Sequence, residues 1–423
     1  MTRRSFISAS TGLAAASALP AVARARYAAP SDQVTVGVMG LSRGMSLCNT
    51  FAAQPGVRLK YVCEVDSDRL TAALSSLESL DAPPTGVADF RAILDDPEVD
   101  ALVCAAPNHW HAPASILACT SGKHAYVEKP CSHNPREGEL LVEAARKHKR
   151  AVQMGSQRRS APGFKTAVAL LQSGTIGRVY LARTFYNANR TSIGVGKPGD
   201  VPATLDYDLW QGPAPRVPYF DNRIPYNWHW FWHWGNGELG NNGVHGLDIC
   251  RWGLGADYPI RVTSSGGRYH FHDDQQTPDT HTVCFEFDGG RMATWECLSC
   301  NRHDGNVAFV TFFGEDGSLE LDYSGTFRIY DANDKLVREE ASKYTDAIHV
   351  ENFLTAIRED KPLDLNAEIL EGHKSTLLCH LGNIAHRTGR TLSCSATDGH
   401  ILGDADAMLL WGREYQSGWE PQV

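Results

Sequence analysis

Two side chains set the chemistry that this sequence can do: Lys129, in Glu128-Lys129-Pro130, and His245, near the end of the glycine- and asparagine-rich segment 235–248. An ammonium group can bind a substrate hydroxyl and stabilise developing alkoxide charge. An imidazole that titrates near neutrality can exchange a proton with that hydroxyl. Asn241 stands four residues before His245, where its amide can orient the ring. Alone, an exposed lysine is usually only solvated, and a single histidine is usually structural. The pair needs a scaffold that brings it to one crevice.

A second group of residues points to a dinucleotide. Gly40-Leu41-Ser42-Arg43-Gly44 lies between an apolar run, Val34 to Met39, and a helical stretch. A glycine-containing turn there lets backbone N–H groups reach a pyrophosphate at the helix N-terminus. It is not a full GxGxxG, because Ser42 takes the middle glycine's place and the spacing is one residue short. Glu64 follows 24 residues after Gly40, at the end of the next strand. A carboxylate there suits ribose hydroxyls and repels a 2′-phosphate, which favours NAD. Arg43 can meet a phosphate, so NADP stays open. The same pentapeptide matches GxSxG, the nucleophile elbow of serine hydrolases. An elbow normally follows a mid-sheet strand, whereas this turn follows the first.

Other residues fall where the same crevice would be lined. Pro107-Asn108-His109-Trp110-His111 ends a further strand, and Pro107, Asn108 and His111 read as a cofactor-lining loop. Gln157 and Arg158 close the run Val152 to Arg159; Gln157 joins the cofactor set and Arg158 the substrate set. Trp228 to Trp234 is seven aromatic or imidazole residues in a row. Aromatic faces stack on the C–H faces of sugars, so Trp230, Trp232 and His233 are candidate substrate contacts. A hydrophobic plug between domains is the alternative. No metal site is expected. Cys297-Leu298-Ser299-Cys300 is a lone CxxC without a second ligand pair, and the eleven cysteines mostly sit in apolar runs.

Short β-type runs alternate with helical ones from Val34 to Met154, the pattern of a doubly wound parallel sheet. Strands are expected at 34–39, 58–63, 99–105, 124–127 and 151–154. Helices are expected from 45 to about 54, after a turn at 40–44, and at 69–80, 89–94, 112–121 and 136–148. Beyond Gln157 come long loops, then strand-like runs at 261–265, 282–287, 291–298, 307–313, 318–322 and 326–330, then helices at 350–358 and 367–388. This reads as an α+β domain with an open, mostly antiparallel sheet. The expected units are 34–156 for the dinucleotide, 157–395 for substrate and oligomerisation, and a tail at 396–423. With 42% hydrophobic and 21% charged residues the chain is an ordinary globular one. A net charge of −9 without basic runs argues against nucleic acid or an anionic membrane as partner.

Residues 1–25 read as a signal of the twin-arginine type, with Arg3-Arg4 ahead of a short apolar stretch and small residues around Ala25. The expected location is the periplasm or the exterior. Free NAD is not expected there, so the dinucleotide would travel with the folded protein and be regenerated on it.

In this order, Glu128-Lys129-Pro130, the segment ending in His245 and Asp248, and Val152 to Arg159 resemble the glucose–fructose oxidoreductase / inositol dehydrogenase / MocA (Gfo/Idh/MocA) family. The resemblance covers about Val34 to Arg390. It implies a Rossmann domain followed by an open-sheet domain, often with that sheet at a homo-oligomer interface. It also implies Lys129 and His245 as the catalytic pair. The family usually has an aspartate where this chain has Asn241, which weakens support for an imidazolium. Three functions follow as expectations: oxidation of a sugar hydroxyl with a bound, recycled cofactor; redox-neutral NAD-dependent glycoside hydrolysis; and non-catalytic sugar binding.

Overall fold

The computed structural model describes residues 33–303 and 307–423. The signal reading of residues 1–25 lies outside them. The first sheet is wholly parallel, with strands β1 (Val34–Met39), β2 (Val57–Cys63), β3 (Thr85–Val87), β4 (Ala101–Cys104), β5 (His124–Val127) and β6 (Val152–Met154). Their order is β3-β2-β1-β4-β5-β6. Helices α1 (Arg43–Ala52), α2 (Ser67–Leu77), α3 (Arg91–Asp95), α4 (Asn108–Thr120) and α5 (Pro135–Lys147) connect them. Every residue of β1 and β4 is buried, as expected for strands covered on both faces. The order reverses between β1 and β4, so a crevice opens at their carboxyl ends.

Local chemistry explains the helix boundaries. Asn134 caps α5 by accepting from the Glu137 N–H, Pro135 occupies the first turn, and Arg146 and Lys147 lie in the last. Asp66 caps α2 in the same way through Asp68 and Arg69. Two expectations are corrected. β3 was not anticipated, because three residues with Thr85 exposed make no apolar run. Residues 108–111 are not a loop. They form the first turn of α4, which starts straight after Pro107 and buries all of them.

The remainder builds a ten-stranded mixed sheet. Its elements are α6 (Pro162–Gln172), β7 (Val179–Asn189), α7 (Tyr207–Gln211), α8 (Val244–Leu254), β8 (Pro259–Gly267), β9 (Thr280–Phe287), β10 (Arg291–Leu298), β11 (Cys300–Asn301), β12 (Val310–Gly314), β13 (Gly317–Leu321), β14 (Phe327–Asp331), β15 (Leu336–Glu340), α9 (Asp346–Arg358), α10 (Ile369–Thr388), β16 (Leu392–Ser393) and α11 (Ala405–Met408). The order is β15-β14-β13-β12-β7-β10-β9-β8-β16, with β11 on β7. Only β7 and β10 pair in parallel. Helices α6, α8 and α10 cover one face. The central strand β7 and the exposed edge strand β15 were not expected, since neither has a clean two-residue alternation.

Contacts also cross between the two cores. Helix α9 belongs to the first core: Phe353 packs edge-on against Phe51 and Tyr126, with ring centroids 6.3 and 5.8 Å apart. The stretch read as a tail folds back too, with Trp419 meeting Trp110 at 5.0 Å and Arg91 lying over the Trp419 ring. All eleven cysteines are free thiols. Among the described residues no helix is long and apolar enough to cross a membrane.

Buried histidines tie stability to pH. Burial pushes His349 and His373 down to about 4 and His380 to about 3. These rings stay neutral in the fold but take up protons near pH ~6.5 once unfolded. Their contribution is therefore intact above pH ~6.5 and is lost as the pH falls toward 4. Thermal melts are expected to give a Tm that is flat around pH ~7 and drops steadily below pH ~6.5.

Candidate active site

A cavity of about 470 Å³ opens at the carboxyl ends of β1, β2, β4 and β5. Gly40 sets its floor. With φ at +85°, its position would bring a Cβ to 2.6 Å from the Ala106 backbone nitrogen, so only glycine lets the turn lie against the end of β4. Ser42, the residue before α1, makes no side-chain cap. The Met45 N–H donates to the Ser42 carbonyl at 3.3 Å, and the N–H groups of Arg43 and Gly44 before it can meet an anionic ligand. Glu64 accepts from the Leu41 N–H at 3.0 Å and the Val65 N–H at 2.9 Å, with Arg69 beside it at 3.6 Å. These features fit a pyrophosphate and an adjacent ribose. Replacing Glu64 by serine is expected to weaken NAD binding about tenfold and to raise the use of NADP, which cofactor titrations would read.

Glu128 organises the inner wall. Arg43 Nε donates to it at 3.1 Å, Gln157 Nε2 at 3.3 Å and the Lys129 backbone N–H at 3.2 Å. Arg43 also binds Asp346 at 2.5 Å. Arg43 therefore ties α1 to α9 through Asp346 and to the end of β5 through Glu128. His111 sits between the Pro130 and Ala106 carbonyls, at 2.6 and 2.7 Å, and so holds the Lys129 loop.

The Lys129 ammonium donates to the Asn241 carbonyl at 2.8 Å and to Asn241 Oδ1 at 3.1 Å. Burial pushes its pKa down, against the pull of Glu128 and Glu238. Asn241 lies in a π-helical turn, Leu239–Gly243, that runs into α8. Such turns often mark functional positions. His245, the second residue of α8, faces the same cavity. No hydrogen-bond partner meets its ring among the described residues. Burial, and then the charges of Arg158, Lys129 and Arg43, hold it well below its usual value, so the imidazole is neutral. The Asn241 amide thus positions Lys129 and does not orient His245, contrary to expectation.

Most sequence-selected residues meet here. Gly40, Leu41, Ser42, Arg43, Glu64, Pro107, Asn108, His111, Glu128, Lys129, Gln157, Arg158, Asn241 and His245 all line this one cavity. Gly44 does not. It is buried inside α1 against Val38 and serves helix–strand packing. From the aromatic run, Trp228 and His229 reach the cavity, with ring centroids 3.6 Å apart. Trp230 is buried away from it beneath Arg190, and Trp232 and His233 turn to a separate cavity beside Arg387. A 3-10 turn at Asn227–Trp230 breaks the run and sends neighbouring rings to opposite sides. Tyr344 and Asp346 line the cavity without any local sequence signal, because α9 arrives there only through the tertiary fold. Ser42 has no histidine hydrogen-bonded to it among the described residues, which leaves the nucleophile elbow without a base.

A crevice at the switch point of a doubly wound sheet, floored by a glycine turn, is the architecture of a dinucleotide enzyme. Comparison with known proteins agrees. Residues 34–156 match the model of an oxidoreductase family NAD-binding Rossmann fold, and residues 181–420 match that of the same family's C-terminal alpha/beta domain. The chain belongs to the Gfo/Idh/MocA oxidoreductase family, with an NAD-binding first domain. Inositol 2-dehydrogenase of Salmonella typhimurium is 29% identical over 160 residues, which are 37% of this chain and 45% of that protein. A glycosyl hydrolase family 109 protein of Shewanella is 33% identical over 166 residues, covering 34% of this chain and 36% of that protein. The chain thus spans less than half the length of the curated relatives it matches. The solved structure of levoglucosan dehydrogenase in complex with NADH and levoglucosan superposes with a TM-score of 0.66 at 19% identity, over 85% of this chain and 99% of that one. That likeness shows the fold.

Proposed function

We propose that the protein is an NAD-dependent oxidoreductase acting on a hydroxyl of a sugar or sugar derivative, with Lys129 and His245 as the working pair. The observation that carries this reading is their shared wall in the cavity floored by the Gly40 turn. Lys129, held by two Asn241 oxygens, donates to the substrate oxygen and stabilises its developing negative charge. His245 is neutral and has no hydrogen-bond partner among the described residues, so it can accept the hydroxyl proton. When bound, NAD supplies the hydride acceptor. Inositol and levoglucosan, named for the similar proteins, support a polyol or sugar as substrate class.

The lowered pKa of His245 gives a sign to the pH profile. An ordinary imidazole base loses activity as the pH drops through ~6.5. Here kcat/KM is expected to stay level between about pH 7.5 and pH 6. A fall centred near pH ~6.5 would argue against His245 as the base.

Two further elements belong to the proposal. The twin-arginine reading of residues 1–25 implies export to the periplasm or exterior, with the dinucleotide retained and recycled. Homo-oligomer formation would use the open face of the second sheet. Half-buried Phe185 and Phe313, beside exposed Arg183, support such a use.

A second reading is redox-neutral glycoside hydrolysis, which the family 109 relative favours. One experiment separates the two. Purified protein loaded with NAD is offered free sugars and aryl glycosides. Net reduction of the cofactor by a sugar supports the oxidoreductase, whereas phenol release without net reduction supports the glycosidase. Neither change with any sugar would refute both.

A further inference from the structure

The charges around the crevice do not balance locally. Each carboxylate has cationic or N–H partners: Glu128 holds Arg43, Asp346 holds Arg43, Glu64 holds two backbone N–H groups, and Asp248 holds Arg159. Among the described residues, two cations that line the crevice have no carboxylate in hydrogen-bonding contact. Lys129 meets only the neutral oxygens of Asn241. The Arg158 guanidinium makes no hydrogen bond among the described residues, and its Nε is buried without an acceptor. Its guanidinium stands over Phe309 at 4.7 Å, Tyr323 at 5.7 Å and Tyr344 at 6.0 Å.

Aromatic faces offset part of the desolvation of a cation. They offer no acceptor to its in-plane N–H donors, of which Nε is buried. Burial accordingly lowers the pKa of Arg158, and the same guanidinium is the largest charge contribution holding His245 neutral. Arg158 and His245 share the walls of two adjoining cavities, the main crevice and a void of about 30 Å³ behind it. An oxidised nicotinamide ring would add one more positive charge to this region. A planar anion that takes two parallel N–H bonds, which is the geometry of a carboxylate, would complement this guanidinium.

We propose that the substrate is a sugar that carries a carboxylate, of the uronic acid class, and that Arg158 binds this carboxylate while the reacting hydroxyl lies between Lys129 and His245. This rests on the oxidoreductase reading and narrows it. Arg158 is then the residue that selects acidic over neutral sugars.

The test uses the full chain loaded with NAD and measures binding of glucuronate, glucose and glucose 6-phosphate by calorimetry. Glucuronate is expected to bind at least about tenfold more tightly than glucose. Arg158→Met should erase most of that difference, and Arg158→Lys should restore part of it. Thermal melts of both variants establish that they are folded. Equal affinities for glucuronate and glucose overturn the proposal, as does a preference that survives Arg158→Met or tightest binding of the phosphate ester. Failure of all three to bind also overturns it. Cofactor reduction by neutral sugars as fast as by acidic ones would sink this inference and leave the oxidoreductase reading standing.

Discussion

Replacing Lys129 by methionine is expected to lower turnover by about 10²–10⁴-fold while the protein still folds and still binds NAD. The methionine side chain keeps the apolar stem but removes the ammonium that stabilises the alkoxide. The loss should fall mainly on kcat, because the charge on the substrate oxygen grows on the way to the transition state. His245→Ala should cost a similar factor, and the double variant should lose little more than either single one, since both act on one proton transfer. Asn241→Ala should give an intermediate loss, because it removes one of the two oxygens that hold Nζ. Single-turnover reduction of bound cofactor reads all four. Undiminished turnover in Lys129→Met and His245→Ala would show that the site is misassigned.

The largest stability effect is expected at Asp248. Its two carboxylate oxygens share the Arg159 Nε–H at 2.9 Å each and accept from Ser375 Oγ at 2.6 Å, and it is 1% exposed. Three segments meet there: the Gln157–Ser160 turn, α8 and α10. Asp248→Ala leaves the Arg159 guanidinium buried with only the more distant Glu371, at 3.5 Å, as counter-charge. Breaking such a pair by removing one partner costs about 3–5 kcal/mol. Asp248→Asn should cost less, since a hydrogen-bond acceptor remains. Denaturant unfolding measures both. Because the Gln157–Ser160 turn also carries Arg158, and α8 carries His245, the alanine variant should lose activity before it unfolds. An Asp248→Ala protein as stable as the parent would mean that this junction does not hold the three segments together.

How much of this was legible in the sequence depended on how local the cause was. The parallel sheet announced itself because β1, β4 and β5 are continuous apolar runs with helices between them. The glycine turn, Glu64 and the Lys129 loop were legible because strand-end position alone places them at the crevice. The aromatic run was only half legible. Its composition suggested sugar contacts, but a single turn decides that Trp228 and His229 face the crevice while Trp232 and His233 face away. The partner of Asn241 was not legible at all. Spacing along the helix suggested His245, whereas the tertiary fold delivers Lys129. Helix α9 was recognised as a helix, yet nothing local says that its buried face, His349 to Phe353, completes the first core. Tyr344 and Asp346 enter the site by the same route.

The central claim joins a nicotinamide cofactor held by the Gly40 turn to sugar chemistry at Lys129 and His245. Its most direct test is a near-ultraviolet spectrum of the purified protein, saturated with NAD and freed of excess, before and after a sugar is added. The expected result is one bound dinucleotide per chain and the absorbance band of reduced nicotinamide appearing on the protein with the sugar, but not with Lys129→Met. A protein that retains no dinucleotide and never develops that band would contradict the claim.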